Sequence, residues 1–397
     1  MKTDNATKLS SDRAWLAAAD CRIEDFAALV ERTTDKADYP LAVEIAENIP
    51  VYDGAEVRKA AAVPATRKAL AAEWVAAMSE GPGIVAIGGA FEDTAAVDAA
   101  SQRFNAIIAE QHAVGAGVGD HFAKPGANDR IWNALEKLCL TDPETFAAYY
   151  GSEAIALASE AWLGPAYQMT SQVNVVNPGG AAQSAHRDYH LGFQTAAAIE
   201  RYPAHVHRLS AVLTLQGAVA HCDMPLDSGP TVYLPYSQTY VPGYLATGKE
   251  EFKRYFNEHR VQLPLKKGDA VFFNPALFHA AGSNRTKDIR RMANLLQVSS
   301  AFGRAMESVD RRRMSTVLYP VLRRMLKDGR ISRARAANAI AATAEGYSFP
   351  TNLDRDPPLY GLAPETQQAL FNRALDGDWE PQALVAGLDA QVAKKLA

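Results

Sequence analysis

The pattern of apolar positions changes period twice along the chain. Up to about residue 80, apolar residues recur at helical spacing. Ser11 is placed to cap a helix running through Trp15 and Leu16. Ile23, Phe26, Ala27 and Val30 mark a second helix, and Leu70, Trp74, Val75 and Met78 mark a third, opened by Pro64 and closed by Gly81-Pro82-Gly83. The short apolar run Gly83 to Phe91, GIVAIGGAF, predicts a strand. Asp93 to Ala113 predicts a helix with Val97, Phe104, Ile107 and Ile108 inward. Val114 to Arg130 has no period, is rich in glycine and carries His121, Lys124, Asn128, Asp129 and Arg130. A surface loop and a substrate-contacting lid both fit it. Ile131 to Leu163 reads as helix again, broken at Leu140-Thr141-Asp142-Pro143.

From about Gln168 to Ser300 the texture is that of strands. Runs rich in valine, leucine and phenylalanine predict strands near Met169–Val176, Ala185–Tyr189, Leu209–Gln216, Thr231–Pro235, Val261–Leu265, Ala270–Asn274, Phe278–Ala281 and Met292–Ser299. Turn residues separate several of them, such as Asn177-Pro178-Gly179-Gly180 and Lys267-Gly268-Asp269. Helical insertions are expected at Gln194–Tyr202 and Lys249–Glu258. After Ser300 the pattern is helical to the end, with Val317, Leu318, Val321, Leu322 and Met325 on one stripe and Pro320 expected to kink or break it. The arginines crowding this region, among them Arg311, Arg312, Arg313, Arg323, Arg324, Arg330, Arg333 and Arg335, are expected on a solvated face. The fold class this predicts is α+β. A double-stranded β-helix (jelly roll, cupin-like) occupies 81–300, flanked by helical extensions over 1–80 and 301–397 that pack on it as one domain.

Composition narrows the function classes. A hydrophobic fraction of 48% over 397 residues supplies a large core, and a net charge of -4 asks for no nucleic acid and no membrane surface. Cys21, Cys139 and Cys222 are far apart and form no CxxC, against a disulfide framework or a structural zinc site. The N-terminal residues lack an apolar leader, and no run is long enough to span a bilayer, so a soluble cytoplasmic protein in a reducing compartment is expected. The pattern specifies no oligomeric state.

The candidate chemistry lies in Gln183 to Gln194, QSAHRDYHLGFQ. On a strand, His186 and Asp188 face the same way, so an imidazole and a carboxylate converge; a third ligand would complete a two-histidine, one-carboxylate face. His279 follows a glycine turn and an apolar strand that return it across the roll. Arg290 stands eleven residues later, opening the next strand, and an arginine directed into a barrel calls for an anion. Arg291 is its rival, since neighbours on a strand face opposite ways; the spacing favours Arg290.

His186-x-Asp188, His279 and Arg290 together resemble the phytanoyl-CoA dioxygenase (PhyH-like) branch of Fe(II)/2-oxoglutarate oxygenases. GIVAIGGAF at 83–91 and DMPLDSGPTVYLPYSQ at 223–238 are similar to that family's opening strand and mid-roll segment, although Pro235-Tyr236-Ser237-Gln238 lacks the family's glycine and histidine. The resemblance covers about 83 to 300. It implies that His186, Asp188 and His279 hold Fe(II), and that Arg290 binds the distal carboxylate of 2-oxoglutarate. Gln172 and Asn174 are candidates for the proximal carboxylate, and Thr231 for the cosubstrate pocket. Gln183, Tyr189, His190, Phe193, His121 and Arg130 are candidates for the substrate.

The chemistry it implies uses O2, converts 2-oxoglutarate to succinate and CO2, and hydroxylates a C–H bond of a small molecule. Related halogenases have alanine or glycine where Asp188 stands, so Asp188 argues against halogenation. Two other classes stay open at this stage: a cupin metalloenzyme that does not use 2-oxoglutarate, and a non-catalytic jelly-roll protein that binds a ligand. A hydrolase nucleophile motif and the Walker and Rossmann glycine patterns are absent from the sequence.

Overall fold

The computed structural model describes residues 14–115, 126–358 and 361–396; the expectations for Ser11, His121 and Lys124 lie outside them. The strands are β1 (Glu44–Ala46), β2 (Ile49–Asp53), β3 (Ile84–Gly88), β4 (Asn128–Ile131), β5 (Gln168–Val176), β6 (Thr214–Ala220), β7 (Val232–Leu234), β8 (Val261–Gln262), β9 (Ala270–Phe273), β10 (Phe278–Ala280) and β11 (Arg291–Ser299). Eight form a large sheet in the order β1-β2-β3-β9-β6-β11-β5-β4, and three form a small sheet in the order β10-β7-β8. An isolated antiparallel bridge between His186 and His279 extends the small sheet by one rung. The two opposed sheets make the jelly roll.

The inner strands of the large sheet, such as β3, β9, β6 and β5, are buried on both faces, and alternation sorts their residues. Val85, Ile87, Val173, Leu215, Val219, Phe272, Leu296 and Val298 face outward into a cluster with Trp74, Phe104, Leu138, Tyr149 and Leu318 of the covering helices. The opposite residues of the same strands, such as Ile84, Ala86, Val271 and Phe273, meet Tyr233, Leu263 and Leu277 inside the roll. On the far side of the small sheet, Leu234 and Phe278 pack on Phe26, Phe252 and Phe256 from the helices Ile23–Val30 and Glu250–His259.

Several expectations are corrected. Residues 1–80 are not a purely helical extension, because β1 and β2 form a hairpin and β2 pairs in parallel with β3, widening the large sheet. Glu47 and Asn48 turn that hairpin with φ of 52° and 65°, and burial of Ile49 and Tyr52 anchors it. Part of the irregular 114–130 stretch is also strand, since β4 pairs with β5. The strand expected at Leu209–Gln216 divides into a helix, Ala204–Val212, and the start of β6. His207, Ser210 and Ala211 are its buried residues, a helical spacing that the run of β-branched and leucine residues conceals.

Ala185–Tyr189 is extended only around His186. Tyr189 and His190 then adopt φ of 64° and 40°, and the chain leaves the sheet in the turn His190–Phe193. Gly192 is required there, because a Cβ would stand 2.0 Å from the carbonyl oxygen of Arg187. The helix Arg311–Lys327 runs on through Pro320, held by the buried residues Met314, Leu318, Leu322 and Met325. The arginines near it do more than face solvent. Arg311 is buried and donates to the carbonyl oxygens of Met169, Ala342 and Thr343. Arg323 pairs with Asp378 and Glu380, and Arg324 and Arg330 both pair with Glu144.

Candidate active site

The bridge that closes the small sheet also assembles the site. The His186 N–H donates to the His279 carbonyl at 3.1 Å, and the His279 N–H returns the bond at 3.3 Å, which places the two imidazoles side by side. Asp188, two residues on, donates its backbone N–H to Pro275. The intervening Arg187 points the other way. It is buried, donates to the carbonyls of Ser237 and Tyr240, and lies over the rings of Tyr244 and Phe278. Gly243 leaves the room for it, since a Cβ there would stand 1.9 Å from the guanidinium carbon. Alternation thus directs His186 and Asp188 together, with Arg187 as the structural anchor between them.

One ligand atom from each of His186, Asp188 and His279 lies within 4.8 Å of the others. The Nε2 of His186 is 3.7 Å from one Asp188 carboxylate oxygen, and the Nε2 of His279 is 3.4 Å from the second. Each Nδ1 sits against a carbonyl oxygen, Ser184 at 2.9 Å for His186 and Leu277 at 2.8 Å for His279. A carbonyl only accepts, so both Nδ1 atoms carry the hydrogen, and both Nε2 lone pairs face the shared point. Burial pushes the His186 imidazole toward neutrality, with Asp188 opposing. Burial raises the Asp188 carboxyl, but His186, His279 and the Gln216 amide more than offset it and hold it well below the usual carboxylate range. Two imidazoles and one carboxylate are the donor set of a non-haem Fe(II) site.

The three ligands line a cavity of about 560 Å³ between the sheets. The inner residues of β11 mark its length: Arg291, Ala293, Leu295 and Gln297 all line it. This parity overturns the expectation for Arg290. Arg290 lies on the outside, half exposed, where it pairs with Asp129 at 3.3 Å and with the Asn177 carbonyl oxygen. Arg291 is 5% exposed and donates to the Gly229 carbonyl oxygen; among the described residues it has no carboxylate partner. Burial draws its guanidinium down to about 10, the sign of a desolvated cation. A buried arginine at a cavity wall without an acidic partner fits an anionic cosubstrate.

Gln172, Asn174, Thr231, Gln183, Phe193 and Arg130 also line the cavity. Tyr189 and His190 do not, because the left-handed turn carries them away; the His190 Nδ1 lies 3.1 Å from the Ser210 hydroxyl instead. The lining residues not expected from the sequence include Trp132, Tyr233, Gln216 on β6 and Gln297 on β11. A glutamine inside an otherwise apolar run, as in TLQGAVA, was the available signal.

The phytanoyl-CoA dioxygenase (PhyH) family model matches residues 63–292. The chain belongs to the PhyH family. The match begins at the N-cap of the helix before β3 and ends at the second residue of β11, so it spans His186, Asp188, His279 and Arg291. As a PhyH-family member the protein is an Fe(II)/2-oxoglutarate-dependent enzyme, and the triad and the unpaired Arg291 suit that pair of groups.

A comparison with curated proteins finds no match. Among solved structures, the chain is similar to the non-heme alpha ketoglutarate dependent epimerase SnoN from nogalamycin biosynthesis. The identity is 22%, covering 60% of this chain and 82% of that one, with a TM-score of 0.40. It is also similar to the carbocyclase SnoK from the same biosynthesis, at 19% identity, covering 59% and 86%, with a TM-score of 0.42. No helix among the described residues is long and apolar enough to cross a membrane.

Proposed function

We propose that this PhyH-family enzyme hydroxylates an unactivated C–H bond of a small molecule. One oxygen atom of O2 enters the product and the other enters succinate as 2-oxoglutarate loses CO2. The observation that carries the reading is the pairing, in one cavity, of a two-histidine, one-carboxylate set with a buried arginine that lacks an anion.

His186, Asp188 and His279 would hold Fe(II), and Arg291, with Thr231 and Asn174 also lining the cavity, would hold 2-oxoglutarate. The iron with its cosubstrate supplies the oxidising power for C–H cleavage. The chain's own residues do the positioning. The Ser184 and Leu277 carbonyls fix both imidazole tautomers, and Gln216 fixes the carboxylate. Arg291 supplies a fixed, dehydrated charge for the distal carboxylate. The sheets on either side keep bulk water from the reacting carbon. The carboxylate of Asp188 fills the position that halogenases leave open, which favours oxygen transfer over halogenation.

The test is an anaerobic visible spectrum of metal-free protein given Fe(II) and then 2-oxoglutarate. A weak charge-transfer band is expected for the unsubstituted protein and for Arg290→Ala. It should vanish in Asp188→Ala, and need at least about 30-fold more 2-oxoglutarate in Arg291→Ala, since removing one partner of a buried charge pair costs about 2 kcal/mol or more. Iron binding without any band would overturn the proposal and leave a cupin-type metalloenzyme that does not use 2-oxoglutarate. A band without oxygen-18 from O2 in the product would leave the cofactors and discard hydroxylation.

A further inference from the structure

Three glutamines stand on the inner face of the large sheet, and two of them carry buried amide oxygens without donors. Gln172 on β5, Gln216 on β6 and Gln297 on β11 are 1%, 4% and 5% exposed, and all three line the cavity. The strand register makes them a strip. Gln216 stands opposite Gln297, and Gln172 stands opposite Leu295, one diagonal step away. The strip reaches the metal-binding triad, because Gln216 donates through Nε2 to an Asp188 carboxylate oxygen.

Two of the amides have their orientation fixed by chemistry. A carboxylate oxygen only accepts, so Gln216 turns its Nε2 to Asp188, and its Oε1 is left buried without a donor. Arg130 only donates, so Gln172 turns its Oε1 to that guanidinium and its Nε2 toward the Glu307 carboxylate. The Oε1 of Gln297, like that of Gln216, is unpartnered. Buried amide atoms of this kind are uncommon and costly unless something in the cavity meets them. The cosubstrate cannot meet them all: ionised 2-oxoglutarate has acceptor oxygens and no donor, so it leaves the Gln216 and Gln297 oxygens unsatisfied. A hydrocarbon chain would satisfy none. Neighbouring hydroxyl groups supply the donors that both oxygens lack.

We propose that the Gln172–Gln297–Gln216 strip is the recognition subsite for the primary substrate, and that this substrate is a polyhydroxylated small molecule whose hydroxyl groups flank the carbon that reacts. The proposal rests on the Fe(II)/2-oxoglutarate reading of the same cavity. It places substrate hydroxyls beside the triad through Gln216, the residue that also steadies Asp188.

The experiment uses the anaerobic Fe(II)-2-oxoglutarate holoenzyme. The probes are methyl β-D-glucoside and myo-inositol, with cyclohexanol and octanoate as poorly hydroxylated controls. Binding is read as perturbation of the charge-transfer band and by calorimetry. At least one of the two polyols should bind about tenfold to a hundredfold more tightly than cyclohexanol, the scale on which a site built for hydroxyl groups rejects a ligand lacking them. Gln172→Met and Gln297→Met, which keep side-chain length, should abolish that preference and keep the 2-oxoglutarate band. Octanoate or cyclohexanol binding as tightly as both polyols, or neither polyol binding, overturns the proposal. Loss of the band itself in the two methionine variants also overturns it, because the glutamines would then serve the cosubstrate. A missing band in the unsubstituted protein counts against the iron reading instead, and calorimetry of the same probes then decides the subsite by itself.

Discussion

At the scale of single residues, the parity of one strand decides the chemistry. Arg290 and Arg291 are adjacent and identical in type, yet one pairs with Asp129 on the outside and the other lines the cavity. Gln216 shows the same principle one step from the metal-binding residues. Gln216→Leu removes the donor that holds Asp188 and should weaken Fe(II) binding about tenfold to a hundredfold, as measured by competition with a chelator. His221 shows how burial alone can set pH behaviour. It lies between Ser101 and Tyr149 beneath the covering helices, and burial lowers its imidazole to about 3 from an ordinary 6.5. Between those values the unfolded chain takes up a proton and the folded chain does not, so this contribution to stability is whole above about pH 6.5 and falls as the pH drops toward about 3. His221→Gln should therefore flatten the plot of urea midpoint against pH between about 6 and 4.

At the scale of elements, the hairpin β1–β2 and the helix Pro64–Ser79 belong to the oxygenase core. Trp74 on that helix is fully buried and meets Tyr52 of β2 edge-on, with ring centroids 5.7 Å apart. Trp74→Ala opens a large cavity between helix and sheet and should cost about 3–5 kcal/mol, measured by denaturant unfolding. A chain that starts after residue 80 loses the parallel partner of β3 and should not give a stable fold. The helix Arg311–Lys327 makes a related point, since its buried stripe outweighs the bond lost at Pro320.

At the scale of the whole molecule, the C-terminal helices form the lid of the outer core. Met314, Leu318, Leu322, Ile340 and Phe371 share one apolar cluster with Leu296 and Val298 of β11, whose opposite face carries Arg291 and Gln297 toward the cavity. Arg311 ties this layer to the sheet through the Met169 carbonyl, and Glu144 ties two of its arginines to the helix Pro143–Tyr150. Truncation after residue 300 uncovers that apolar face. The shortened chain should aggregate on expression and bind no Fe(II), which sedimentation and an iron assay of the soluble fraction would show. Charge reversal at exposed Arg324 should instead leave the unfolding midpoint nearly unchanged, because an exposed ion pair contributes little.

The candidate triad His186, Asp188 and His279, the extent of most strands and the helical character of the C-terminal quarter were legible in the sequence. Those features are local: side-chain period, turn chemistry and His-x-Asp spacing are written in neighbouring residues. The N-terminal hairpin stayed hidden because a three-residue strand leaves too short a pattern to compete with the helices around it. The choice between Arg290 and Arg291 depended on which parity of β11 the opposite sheet buries. The glutamine strip of Gln172, Gln216 and Gln297 depended on three strands that come together from distant parts of the chain. Only the tertiary structure decided these, because inside and outside exist for a strand only after a second sheet has closed over it.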